Sequence, residues 1–599
     1  MAATVVVDKK LAVDFPDVTE TKFKYIDKSF VKKHEDVYNT KKDLKIFVGS
    51  AAKASFLGHK AVLQDAHEFF GNSFCKEGEE GSEIYFKEIT AYGFTPIFEY
   101  FYHGYIYVDP ELFTELIEAA SFFKIEWILD VCRHFMLHFY GVIKYSYTIE
   151  LAERFGFEGF KEEMCGTFGL FLAKLAKGDA PFKDYPEDLL SDFLQGNYYT
   201  EAPEFLILQF LIKWMNYDKK ERERKMLSLL SNIRYHIMKP ENLNNISEDI
   251  LSMSDIRKEV EDAKLYLSNV PQQCLKKGIK YASRGAKEVA IVSAFHDTSD
   301  RSESNILAYK DPNNDEPTLS VEELGPSGLK ADYTTMNQAC IGNFLFAAGG
   351  YDKAGTSLSC VYMFDARTKK WTEVAGMIQA RASFAMCNSK DRIYVIGGVC
   401  KEADDEKFLS TVEMYVPEEN KWKAITSLES SCFNQAAVYC SDALYVTGGI
   451  FDVEPIASAL CLQDGSSKWT MLPKMSVCRQ GHSMTEFGGK LYVLGGYTAK
   501  PNSQGLVKDC DVNEIFNLKT KQWTTITRTP KRYGHLYRHT AIMQNKIYFL
   551  CNIDSDVYLN SFDMESNEFI TGALIGRGVH KVGVLQVAYP PTCLITPLP

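Results

Sequence analysis

Apolar positions along the chain change their period twice. From residue 23 to about 135, alternating runs such as Asp43-Leu-Lys-Ile-Phe-Val48 are interleaved with helix-spaced segments such as Phe94–Gly104 and Leu116–Ile125. From 136 to about 280 the spacing is almost wholly helical, and from 288 to 599 it becomes short alternating strands separated by turns. A change of period is the usual mark of a domain boundary. The pattern therefore predicts a mixed α/β domain over 23–135, an all-α domain over 136–280 and an all-β domain over 288–599, with residues 1–22 as an N-terminal extension. Within the helical part, Glu204–Trp214 is apolar around most of its circumference and runs into the charged stretch Asp218–Arg224, as a buried helix entering a solvated turn would. The polar, glycine-containing stretch from Gln272 to Gly285 reads as the connector to the strands.

The last region repeats. Apolar strands end in glycine pairs at Gly349-Gly350, Gly397-Gly398, Gly448-Gly449 and Gly495-Gly496, with a degenerate fifth at Cys551-Asn552. A period near fifty residues means a propeller or solenoid array. Each intact pair is followed by a loop, an alternating strand, a turn and a tryptophan, at Trp371, Trp422, Trp469 and Trp523. The glycines let a strand end turn against a neighbouring backbone. The indoles are plates large enough to fill the wedge between twisted sheets. Glu288–Ala294 with Asn305–Tyr309 reads as a first blade that has lost both signatures, and Arg577–Val587 repeats an inner-strand pattern with no strand of its own to follow. The last segment is expected to return to blade one, closing a ring of six blades with no free sheet edge.

Composition narrows the function. The 599 residues are 46% hydrophobic and 24% charged, as in ordinary globular chains. A net charge of −12 supplies no cationic field for nucleic acid. The fifteen cysteines contain no Cys-x-x-Cys pair, the apolar runs at the N-terminus are too short for a signal-peptide core, and no apolar run anywhere approaches a membrane span. A cytoplasmic or nuclear chain with reduced thiols is expected, with no membrane partner. His134 and His138 are spaced to share a helix face, but no third ligand completes a metal site, and no nucleophile elbow, phosphate loop or dinucleotide fingerprint is present. Neither enzyme chemistry nor a cofactor is expected.

The repeat resembles the kelch motif, four strands per blade. Asp43–Val48, Phe56–Leu63 and His67–Phe74, followed by the helices at 94–104 and 116–125, resemble a BTB domain. Glu204, Trp214, Asp218, Arg222 and the segment Leu229–Arg234 resemble a BACK domain. Nearly the whole chain is thus similar to the BTB-BACK-kelch family. The resemblance implies a non-catalytic adaptor: a homodimer through BTB that binds the scaffold cullin-3 with its BTB and early BACK surfaces and holds a protein substrate on the propeller for ubiquitin transfer. Lys22–Val31, with Phe23, Ile26 and Phe30, reads as an exchanged first helix at the dimer interface, and Asp43 and Lys60 match the family's acidic and basic interface positions.

The family's cullin-binding loop usually carries an apolar knob two residues before a glutamate. Here it is Cys75-Lys-Glu-Gly-Glu-Glu-Gly-Ser82, short and without the knob. Glu77, Glu79 and Glu80 then supply charge, and Phe74 and Tyr102 supply apolar area. The alternative is a scaffold that binds actin or another cytoskeletal protein through the propeller. Loops after the glycine pairs offer Tyr351, Phe451 and Tyr497 to a substrate. Arg381 and Arg479, each sixteen residues before a glycine pair, match arginines that line the substrate pocket of some members, with His535 in the corresponding place of the last blade. An arginine fork suits an acidic peptide. The alternative for both arginines is a structural one, each capping its own loop.

Overall fold

The computed structural model describes residues 3–6, 23–27, 41–49, 54–70, 83–140, 144–177, 185–285, 287–298, 301–309, 322–323 and, with short breaks, 335–589. By Cα packing the chain divides into two units, Met1–Asn232 and Ile233–Pro599.

In the first unit, strand Leu44–Val48 sits between Ala54–Gly58, to which it is antiparallel, and Glu83–Phe86, to which it is parallel. The helix Lys60–Ala66 begins where the Asp43 carboxylate accepts the Lys60 backbone N–H at 2.8 Å, a capping role reached across the hairpin. Helices Ala91–His103, Phe113–Phe123 and Glu126–Phe135 pack beside this sheet around buried phenylalanines, among them Phe70, Phe86, Phe94, Phe101 and Phe123. Gly93 is the point of closest approach: a Cβ there would lie 2.1 Å from the Glu115 carbonyl.

The expected first helix is corrected by the structure. Phe23–Ile26 is a β-strand, parallel to Ala3–Val6 and antiparallel to Tyr105–Val108. Burial follows period two, not 3.6: Tyr25 is fully buried while Lys24 lies over the Tyr105 ring at 4.1 Å and Ile26 is half-buried. Four residues are too few for periodicity to separate strand from helix. Phe30 lies outside the described residues. The helices that follow are Tyr145–Arg154, Phe160–Lys177, Glu187–Gln195, Glu204–Tyr217 and Lys219–Leu230. Glu204–Tyr217 buries Ile207, Leu208, Phe210, Leu211 and Trp214, and the Asp218 carboxylate caps the charged helix after it.

In the second unit, the helix Ser254–Ser268 and a short 3-10 helix, Val270–Leu275, lead into the strands. The connector is packed: Cys274 is buried among Ile341, Phe344, Ile393 and Tyr415 of the strand domain, and the Gln272 amide donates to the Glu418 carbonyl at 2.8 Å. The polar neighbours of Cys274 hid its anchoring role.

Six sheets follow. Blade 1 has the order Val579–Tyr589, Lys287–Thr298, Arg301–Tyr309, Glu322–Glu323. Blades 2 to 5 are antiparallel four-strand meanders, opening with Asn337–Ile341, Ala385–Asn388, Ala436–Cys440 and Ser483–Phe487. Blade 6 opens with Tyr533–Met543 and carries Leu574–Arg577 as an extra strand. The opening strands adjoin one another from blade 2 to blade 6, and Val579–Tyr589 closes the ring between blades 6 and 2. The C-terminal strand pairs antiparallel with Lys287–Thr298 from Val579 to Tyr589, as the degenerate last repeat predicted.

Candidate functional site

In a meander blade, strand 2 ends on the same face as strand 4, so the loop after each glycine pair and the link into the next blade share one side of the ring. The glycine pairs build that side. The amides of Gly350, Gly398 and Gly449 donate to the carbonyls of Arg381, Cys432 and Arg479 in the following blade, at 3.0, 2.9 and 2.9 Å. A Cβ on the first glycine of each pair would lie 2.4 Å from Arg381 O, 2.3 Å from Cys432 O or 2.4 Å from Arg479 O. Gly349, Gly397 and Gly448 also have φ of 63°, 58° and 57°. Left-handed backbone and missing space together leave room only for glycine.

The tryptophans join the same blades further out. Trp422, Trp469 and Trp523 donate their indole N–H to the carbonyls of Ala375, Thr426 and Pro473, each just past the outer strand of the preceding blade. In blade 6 Phe569 stands opposite Phe562, as Trp523 stands opposite Phe516. It fills the wedge without the hydrogen bond.

Arg381 and Arg479 do not reach the loop face. Both are fully buried. Arg381 donates to the carbonyls of Gly397 and Thr411 and pairs with Glu413, whose carboxylate also accepts the Ile378 and Gln379 amides. Arg479 donates to the carbonyls of Gly495 and Val512 and pairs with Glu514 at 2.7 Å, and Glu514 accepts the Ser476 amide. The guanidinium thus clamps a blade's second strand to its third, and the glutamate holds the entering loop. Burial pulls the Arg381 pKa down and Glu413 opposes that pull. The pocket-lining role expected for these two arginines is therefore replaced by a structural one. In blade 4, Cys432 occupies the arginine's place and donates to Gly448 O at 3.5 Å, while Leu460, paired with Val446, stands where blades 3 and 5 have Glu413 and Glu514. Ion and counter-ion are absent together.

The remaining substrate candidates are on the face. Phe451 is 45% exposed, and Tyr351 and Tyr497 are half-buried. Burial pushes the Tyr351 hydroxyl pKa up, against a hydrogen bond to Ser383. His535 falls on the strand Tyr533–Met543, but its side chain lies outside the described atoms. A cavity of about 180 Å³ between blades 5 and 6 is lined by Gly496, Asp509, Asp511, Lys531 and Tyr533. In the first unit, Tyr102 is half-buried, its hydroxyl receiving the His59 backbone N–H at 2.8 Å. Phe74, Glu77, Glu79 and Glu80 lie outside the described residues, as does the side chain of Phe23. Ile26, Asp43 and Lys60 sit where the folding unit itself uses their strand and cap.

One cluster escaped sequence reasoning. His236, Glu259 and Asp262 bring ligand atoms within 4.8 Å of one another, but Lys280 already places its ammonium 3.3 Å from Glu259 and 3.9 Å from Asp262. Glu259 and Asp262 share one helix, but His236 lies well before it in sequence, so no ligand spacing announced the cluster. The cluster ties the turn at Tyr235–Ile237 to the helix Ser254–Ser268.

A closed ring with loop-built surfaces, carried behind an α/β domain and a helical domain, defines a modular protein-binding molecule. Residues 38–140 match the BTB/POZ domain, 147–248 match the "BTB And C-terminal Kelch" domain, and 339–378, 380–429 and 478–530 match the Kelch motif. Similar proteins include Kelch-like protein 15 of Homo sapiens, 27% identical over 512 residues and covering 80% of this chain and 82% of its own length. Kelch-like protein 26 of Danio rerio is 22% identical over 82% of this chain and 81% of its own, and Kelch-like protein 36 of Bos taurus is 22% identical over 89% and 87%. The chain belongs to the BTB-BACK-kelch family of Kelch-like adaptor proteins.

Proposed function

We propose that the protein is a cytoplasmic homodimeric substrate-recognition adaptor of a cullin-3 RING ubiquitin ligase. The BTB domain dimerises, BTB and BACK surfaces bind cullin-3, and the propeller's loop face holds the substrate. The observation that carries this reading is the order of modules: a BTB domain, a BACK domain and a closed propeller whose glycine pairs and clamps leave one face made of loops. Loops on a rigid ring can vary in sequence without disturbing the core, which suits recognition. Dimerisation would raise the effective concentration of a second propeller for a bivalent substrate.

A second reading has one specific observation in its favour. The loop Cys75–Ser82 lacks the apolar knob that the family presents to cullin-3, as a cytoskeletal scaffold binding actin would permit. A reconstituted reaction with cullin-3, its RING partner, ubiquitin and the activating and conjugating enzymes separates the two. The ligase reading expects ubiquitin to be attached to the adaptor itself, dependent on cullin-3. No attachment, together with co-sedimentation of the full chain with actin filaments, supports the scaffold.

A further inference from the structure

Three loops on one side of the propeller face meet around an apolar pad. Phe408, from blade 3, and Phe433, from the link into blade 4, stack with ring centroids 5.0 Å apart and planes 8° apart. Phe433 exchanges backbone hydrogen bonds with Ile450, N–H to O at 3.3 and 2.8 Å. That exchange seats the short hairpin formed by Ile450–Phe451 and Glu454–Pro455 beside the stack. Phe408 is 47% exposed, Phe451 45% and Val453 53%. Large apolar side chains gathered at one place on a surface mark an interaction site more often than single scattered ones do.

The hairpin tip adds a second observation. Asp452 and Val453 have φ of 42° and 70°. A two-residue turn with both central residues left-handed is filled at least cost by Asn-Gly, and a β-branched residue there is an outlier. Val453 turns its side chain to solvent, so the strain is not offset by burial inside the chain. Strained positions that the fold does not need are found where a surface makes contact with something else.

Charge selects the partner. The described residues of these two loops carry Glu402, Asp405, Glu406, Asp452 and Glu454 against Lys401 and Lys407, and Lys407 already pairs with Asp405 at 2.8 Å. The pad therefore has an acidic rim. No arginine fork is available from Arg381 or Arg479, which are buried in their clamps. We propose that this pad binds a segment of a partner protein in which an apolar anchor residue is flanked by lysine or arginine. The proposal rests on the reading that the loop face holds the partner, and specifies its chemistry: basic and apolar, the opposite of the acidic peptide that exposed arginines would favour.

The test is selection of a random twelve-residue phage-displayed peptide library on the full-length protein, followed by affinity measurement of the enriched peptides on variants. Enriched peptides are expected to combine an aromatic or aliphatic residue with nearby Lys or Arg. They should lose at least tenfold in affinity on Phe451→Ser, on the double change Glu406→Lys with Glu454→Lys, and on raising salt several-fold. Val453→Gly should weaken binding while raising the melting temperature, a combination that general damage to the fold does not produce. Enrichment of acidic peptides that still depend on Tyr351 or Tyr497 would overturn the proposed chemistry and keep the face. Enrichment of nothing, or of peptides indifferent to all face variants, would overturn the face reading along with it.

Discussion

Arg381 and Arg479 show what a single residue's position does and does not reveal. Their spacing from the glycine pairs was visible in the sequence, and it is real: each guanidinium reaches the carbonyl of the first glycine, sixteen residues on. Their direction was not visible, because a loop position sixteen residues before a strand end can point to solvent or into the ring. The sequence did hold one clue. Blade 4 lacks the arginine and the glutamate together, having Cys432 and Leu460 instead, which is what a mutually dependent buried pair requires. Removing one partner should cost far more than removing both. Arg479→Met alone is expected to destabilise by about 3–5 kcal/mol by leaving the Glu514 charge buried, whereas Arg479→Cys with Glu514→Leu, copying blade 4, should cost clearly less. Urea unfolding of the single and double variants measures the difference, and equal costs would refute the clamp.

His134 gives a pH dependence at the same scale. It lies with His138 at 4.4 Å between ring centroids, and burial, reinforced by His138, lowers its pKa to about 4. The unfolded chain takes up this proton below its ordinary value of about 6.5, and the folded chain only near 4. Stability should therefore fall as pH drops from about 6.5 to 4, and His134→Gln should flatten that part of a melting-temperature profile.

At the scale of elements, the middle blades were legible because glycine pairs, alternating strands and tryptophans recur together. The N-terminal strand was not, because Phe23–Ile26 is defined by its partner Tyr105–Val108 some eighty residues away and not by its own pattern. The Cys274 anchor was hidden for a similar reason: the buried residues it packs among, such as Ile341, Phe344, Ile393 and Tyr415, lie in the propeller. The joints predict local sensitivity. Gly397→Ala places a Cβ against the Cys432 carbonyl at a left-handed φ and should cost roughly 3 kcal/mol, at the high end for a one-carbon change. The corresponding change at Gly488, in an open turn with nothing within 4 Å, should cost less, by whatever its φ of 59° demands alone. The seam is the other sensitive element. Blade 6 has Cys551-Asn552 in place of a glycine pair, so the C-terminal strand's pairing with Lys287–Thr298 carries the closure there. Truncation at residue 577 should leave that strand as an exposed edge and admit protease between 287 and 309. A digestion pattern identical to that of the full chain would contradict this closure.

For the whole molecule, domain order was legible from the changes in period, and the family from the motifs they contain. The partner surfaces were less so, since they depend on which loop side chains the ring turns outward. The clamps took two arginines away from the face, and the Phe408–Phe433 stack with the strained hairpin tip took their place as its most distinctive feature. The account as a whole requires one chain to do two things at once: pair with a second copy and bind the ligase scaffold. Calorimetric titration of the full-length protein with the N-terminal domain of cullin-3, with the mass of the complex measured alongside, addresses both. The adaptor reading predicts binding at or below micromolar concentration to a dimer, with one cullin per adaptor chain. An intact dimer that gives no heat at tens of micromolar would contradict it and leave the propeller as the working end of a scaffold.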